Sequence, residues 1–166
     1  MSTRLASRFA ALKREGRAGL VAYVMASDPD HETCFEILRG LPAAGADVIE
    51  LGFPFSDPMA DGPSIQKAAL RALKAGGSLK QSLELARRFR ETDQETPLII
   101  MGYGNPIESM GYEAFAKAMA ASGADGAIIV DLPPEEDTAL RTAFRSNGLS
   151  IIRLATPTTD NNRLTK

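Results

Sequence analysis

The sequence predicts an α/β fold built on parallel strands, and three observations predict it. Five short apolar runs rich in β-branched residues recur along the chain: LVAYVMA (20–26), DVIELGF (47–53), PLIIMGY (97–103), DGAIIVDL (125–132) and LSIIRLAT (149–156). Near-continuous apolarity is the pattern of strands buried on both faces. Segments of helical period separate the runs, and strict strand–helix alternation means parallel strands joined by right-handed crossovers. Carboxylates stand at the ends of two runs, Glu50 and Asp131, where a barrel of βα units places its chemistry. A doubly wound sheet would carry a Gly-rich fingerprint after its first strand. MASDPDHE stands there without a glycine, and MGYGNP (101–106) lacks the third glycine of that motif.

The elements follow in order. Leu5, Phe9 and Leu12 lie at helical spacing in MSTRLASRFAALKREG and predict a first helix docked on the domain; that reading is preferred over a transit peptide. Residues 31–41 place Cys34, Phe35, Ile37, Leu38 and Leu41 on one side, and residues 65–73 do so with Ile65, Ala68, Ala69, Ala72 and Leu73 before Gly76-Gly77. Ser78-x-x-Gln81 is a capping box opening a helix that carries Leu79, Leu83, Ala86 and Phe89. Residues 112–122 carry Phe115, Ala118 and Met119 with Gly123 as C-terminal cap, and residues 135–147 carry Leu140, Ala143 and Phe144 between Pro133-Pro134 and Gly148. AAGADVIEL (43–51) and ASGADGAIIVDL (121–132) form a faint repeat, each a helix end, Gly-Ala-Asp, a strand and a terminal acid. The pattern provides four βα units and a fifth strand, then stops in TPTTDNNRLTK, whose Thr/Asp/Asn run reads as the N-cap of another helix. Residues 1–166 are therefore expected to be a single domain, the N-terminal part of a barrel truncated at Lys166.

Bulk properties exclude several classes of function. The 166 residues are 44% hydrophobic and 24% charged with a net charge of −2, so no basic excess argues for nucleic acid or an anionic membrane. Cys34 is the only cysteine and His31 the only histidine, which leaves no internal disulfide and no His-centred metal cluster or Ser-His-Asp triad. Cys34 is read as core and His31 as an exposed helix-start residue. No apolar run approaches the roughly 20 residues that cross a bilayer, and a cytoplasmic location is expected.

Chemistry concentrates in ELGFPFSDPMADGPSIQKA (50–68). Side chains alternate along a strand, so Ile49 and Leu51 face the helices while Val48, Glu50 and Gly52 face the barrel axis. A carboxyl there is partly desolvated, its pKa rises, and it becomes suited to proton transfer; the competing reading is a Glu paired with a Lys or Arg. Asp61 lies across a loop stiffened by Pro54 and Pro58 that can fold back over the strand's mouth. Spacing leaves Asp61 open between a catalytic acid and a helix-capping one. Asp57, in SDP, is read first as a turn former. Tyr103, Asn105 and Asp131 either line a pocket or satisfy nearby backbone groups, and Tyr23 reads as core.

The same stretch closely resembles the signature of the tryptophan synthase alpha subunit family. VAYVMASDPD, AAGADVIELGFPFSDPMADGPSIQKAALRAL, PLIIMGYGNPI and GADGAIIVDLPPEE match that family in the same order. The resemblance covers essentially the whole chain, departing where the family more often has Gly in place of Ser27. It implies a (β/α)₈ TIM barrel, a carbon–carbon lyase that cleaves indole-3-glycerol phosphate to indole and glyceraldehyde 3-phosphate by a retro-aldol reaction. It implies no metal and no cofactor in this subunit, and a pyridoxal-phosphate beta subunit as partner in an α₂β₂ heterotetramer. Glu50 matches the family's catalytic Glu and Asp61 its second acid; Tyr23 and Tyr103 match substrate-binding positions lining the indole pocket. Pro54, Asp57 and Pro58 match a mobile loop that closes the site and touches the partner. The family's phosphate-binding loops lie beyond residue 166, so little or no turnover is expected from these residues alone. Two other readings are a non-catalytic half-barrel that self-associates and an indole-glycerol-phosphate synthase. The latter relies on a strand lysine, and none of the five runs contains one.

Overall fold

A computed structural model describes residues 3–164; Met1, Ser2, Thr165 and Lys166, including the expected domain end, lie outside the described residues. The five expected strands are β1 (Val21–Met25), β2 (Val48–Gly52), β3 (Leu98–Gly102), β4 (Gly126–Ile129) and β5 (Ser150–Ile151). They form one parallel sheet in the order β1-β2-β3-β4-β5. A doubly wound sheet reverses direction at its switch point; here each strand lies beside its predecessor, as in a barrel wall. β5 is shorter than the 149–156 run predicts. Ile152 still donates its N–H to the Ala127 carbonyl at 2.9 Å. β4 ends at Ile129, and no described strand flanks β5 on its far side, so the chain then has no ladder to join.

The helices are α1 (Arg4–Glu15), α2 (His31–Gly40), α3 (Pro63–Lys74), α4 (Leu79–Thr92), α5 (Gly104–Met110), α6 (Tyr112–Ser122), α7 (Thr138–Ser146) and α8 (Asn161–Leu164). Side-chain caps start them where the sequence places Ser, Thr and Asp: Thr3 accepts from the Ala6 N–H, Asp30 from Thr33, Ser78 from Gln81 and Asp160 from Arg163. α5 is a helix that sequence reading misses. MGYGNPIESMG has too few apolar residues to show a helical period, and its first N–H, from Gly104, is capped by the Asp131 carboxylate at 2.7 Å.

The two faces of the sheet carry separate cores. Ile49, Leu51, Leu98, Ile100, Ala127 and Ile129 pack outward against the buried residues of α2, α4, α6 and α7. Val48, Ile99 and Ile128 cluster on the inner face with Leu5, Met101, Val130 and Ile152. α1 thus touches the inner cluster, and it is held at the strands' N-terminal ends by charge. Arg8 and Arg17 pair with the fully buried Asp47 at 2.6 and 2.8 Å, and Arg4 and Arg90 pair with Asp125 at 2.9 and 3.2 Å. The two aspartates are the Asp of each Gly-Ala-Asp repeat. Each also accepts a backbone N–H at the head of a neighbouring strand, from Leu20 and Leu98. Arg4 and Arg8 are one helical turn apart, so a single face of α1 reaches both. The expected Leu5–Phe9–Leu12 stripe turns inward in part: Leu12 is buried and Leu5 packs on the inner cluster, while Phe9 is 56% exposed.

Candidate active site

Parallel register brings Tyr23 opposite Glu50 and Met25 opposite Gly52. Tyr23, Glu50 and Gly52 therefore share the inner face near the strands' C-terminal ends. The Tyr23 ring lies across Gly52 so closely that a Cβ there would fall 2.1 Å from the phenolic oxygen. Gly52 is a residue the sequence reading placed on the axis without assigning it work; its missing side chain makes the space for the ring. Glu50 is partly buried, and burial pushes its carboxyl pKa up from the ordinary range. No Lys or Arg partner is recorded for it, which removes the competing ion-pair reading among the described residues.

Asp61 closes the other side of the site. The 53–62 loop folds back over the mouth of β2, with Phe55 against Tyr103 at a ring-centroid distance of 5.3 Å and the Ala60 N–H donating to the Tyr103 hydroxyl at 3.0 Å. The phenol of Tyr23 is pushed up by burial first, then by the charges of Asp61 and Glu50 and by Tyr103. These four residues thus form one electrostatic cluster. Asp61, Tyr23, Tyr103, Phe55 and Pro58 also line one small pocket with Met101 and Val130. A larger cavity of about 630 Å³ opens beside it, from Asp61 and Met101 past Asp131 to Thr156, Thr159 and Leu164. Glu50 is not part of that wall.

The remaining expected site residues separate. Asp57 is exposed at the loop tip and accepts from the Ser56 hydroxyl at 2.5 Å, the turn-forming role. Pro54 is buried at the loop's root and Pro58 partly buried. Asp131 is committed to the α5 cap described above, and Asn105 is exposed in the first turn of that helix. His31 is not the exposed residue expected: it is partly buried and its Nδ1 lies 2.8 Å from the Ser27 hydroxyl. Ser27 is fully buried in the left-handed region at φ 68°, a conformation glycine adopts without strain. Cys34 is core, as expected. No group of three or more His, Cys, Asp or Glu side chains among the described residues is placed to hold a metal, and no described helix is long and apolar enough to cross a membrane.

Residues 9–166 match the family described as tryptophan synthase alpha chain. The chain is 60% identical over 161 residues to the tryptophan synthase alpha chain of Caulobacter vibrioides (strain NA1000 / CB15N), covering 97% of this chain and 58% of that protein. The crystal structure of tryptophan synthase subunit alpha from Legionella pneumophila str. Paris superposes with a TM-score of 0.96 at 44% identity, over 99% of this chain and 63% of that one. A chain of the tryptophan synthase complex from Pyrococcus furiosus superposes with a TM-score of 0.83 at 39% identity, over 88% of this chain and 60% of that one. The five strands and their helices therefore correspond to part of a TIM barrel.

Proposed function

This chain belongs to the tryptophan synthase alpha chain family, lyases of tryptophan biosynthesis, and on that premise we propose that it contributes the acid–base half of a retro-aldol cleavage of indole-3-glycerol phosphate. The observation that carries the reading is that Glu50 stands opposite Tyr23 in the β1–β2 register while Asp61, from the loop, lines one pocket with Tyr23 at the C-terminal mouth of the sheet. Glu50, with its carboxyl pKa raised by burial, delivers its proton to the indole ring carbon that bears the side chain. The ring becomes an indolenine with positive charge at its nitrogen. Asp61 accepts a hydrogen bond from that N–H and stabilises the charge as it develops. The Glu50 carboxylate then takes the proton of the adjacent side-chain hydroxyl. The C–C bond breaks, its electrons return to the ring, and indole and an aldehyde leave.

The reading needs no cofactor or metal in this subunit. The partner is a beta subunit carrying pyridoxal phosphate, in an α₂β₂ assembly in the cytoplasm, and the loop with exposed Asp57 and partly buried Pro58 faces it. The Pyrococcus furiosus neighbour, from a tryptophan synthase complex, supports that pairing. The chain spans 58% of the length of its Caulobacter relative, so the test uses the polypeptide extended to its relatives' length. Cleavage run in deuterium oxide is expected to yield indole with one solvent-derived deuterium at the ring carbon released from the side chain. Asp61→Asn is expected to slow indole release by about 100-fold, within the range for losing one transition-state stabiliser. Unlabelled indole, or an Asp61→Asn rate equal to wild type, contradicts the reading.

A further inference from the structure

The hydrogen bonds of residues 54–61 are almost all internal. The Ser56 hydroxyl donates to Asp57, the Met59 N–H donates to the Asp57 carbonyl and the Asp61 N–H to the Pro58 carbonyl. The Asp61 carbonyl accepts from Gln66, at the start of the adjoining α3. Among the described residues, the loop's hydrogen bonds to the rest of the barrel wall run to Tyr103, 43 residues further along the chain from Ala60. Tyr103 directly follows β3, is 3% exposed, and sets its ring against Phe55 while its hydroxyl accepts the Ala60 N–H at 3.0 Å. It is covered by the loop and its hydroxyl is engaged.

We propose that Tyr103 is a positioning residue: it latches the β2–α3 loop onto β3 and thereby sets Asp61, the residue that follows Ala60. This deepens the acid–base reading above and rests on it. The latch has two components. The ring fixes Phe55 near the start of the loop, and the hydroxyl oxygen fixes Ala60 near its end. Burial pushes the phenol's pKa up, so the hydroxyl stays neutral while it accepts the Ala60 N–H. A backbone pinned one residue before Asp61 narrows the positions its carboxylate takes, whereas a free loop samples many, and misplacement of about 1 Å costs about 100-fold in rate.

The test is Tyr103→Phe, which keeps the ring against Phe55 and removes only the hydroxyl, in the chain extended to its relatives' length. Amide hydrogen exchange at Ala60 is expected to accelerate by about tenfold, the worth of one hydrogen bond, while the Ile100 amide in β3 is unchanged. Turnover is expected to fall by about tenfold or more with KM within about twofold, because the fault lies in alignment and not in binding. Unchanged Ala60 exchange overturns the latch. Faster exchange with unchanged kcat overturns the positioning role. Asp61→Asn is measured alongside: if it turns over like wild type, the acid–base reading fails, and Ala60 exchange still judges the latch on its own.

Discussion

At the scale of single residues, Glu50 and Ser27 are each held in a state that costs stability. Burial raises the Glu50 pKa, so its folded-state value lies above its unfolded one. Stability is then greatest below the unfolded value and declines as pH rises through the folded value. Glu50→Gln is therefore expected to raise the thermal midpoint at pH 7, with the gain vanishing below about pH 4, where the carboxyl is neutral in both states. A lower midpoint at pH 7 would contradict the desolvated-acid account. Ser27 holds a left-handed backbone, and its hydroxyl contact with His31 offsets part of that strain. Ser27→Ala keeps the strain and loses the contact, and is expected to lower stability by about 1 kcal/mol in thermal unfolding. Ser27→Gly loses both, so the two effects of about 1 kcal/mol each cancel to near zero. Glu50 was legible because a charged residue in an apolar run has few explanations. The Ser27–His31 pair was not, since a left-handed backbone leaves no trace in a serine's identity.

At the scale of elements, the alternation of strands and helices was readable, and the orientation of α1 only in part. Leu5 and Leu12 of its apolar stripe turn inward but Phe9 does not, because Arg4 and Arg8 also draw the helix toward Asp125 and Asp47, which are distant in sequence. The Gly-Ala-Asp repeat was visible, yet nothing in it says that the aspartates would meet arginines. Asp125→Ala leaves buried Arg90 without its nearer carboxylate, with Asp93 at 3.9 Å remaining, and is expected to cost about 3 kcal/mol in chemical denaturation; a cost under about 1 kcal/mol would show the pair to be incidental. The Asp47 carboxyl is held well below the usual range by hydrogen bonds from Arg17 and the Leu20 N–H, with Arg8 adding charge. That stability is present above the unfolded value and lost as pH falls through the folded one. Asp47→Asn is expected to flatten the loss of stability with pH below about pH 4, followed by circular dichroism.

At the scale of the whole molecule, sequential strand order and separate inner and outer cores make this a barrel wall whose described edges are β1 and β5. Leu20, Val21 at the start of β1 and Leu154 beyond β5 are apolar and about half exposed. The parallel barrel class was legible because continuous apolar runs, helical spacers and strand-end acids all pointed one way. The contact of the loop with β3's end was not, because it depends on Tyr103 meeting Ala60 across 43 residues. The account's central claim is that Glu50 moves both protons of the cleavage, and indole release from indole-3-glycerol phosphate tests it most directly. In the chain extended to its relatives' length and assembled with a beta partner, wild type is expected to release indole. Glu50→Gln, which keeps the shape but neither gives nor takes a proton, is expected to fall by about 1,000-fold or more, the scale of a lost general acid–base. Release by Glu50→Gln within about tenfold of wild type would contradict it.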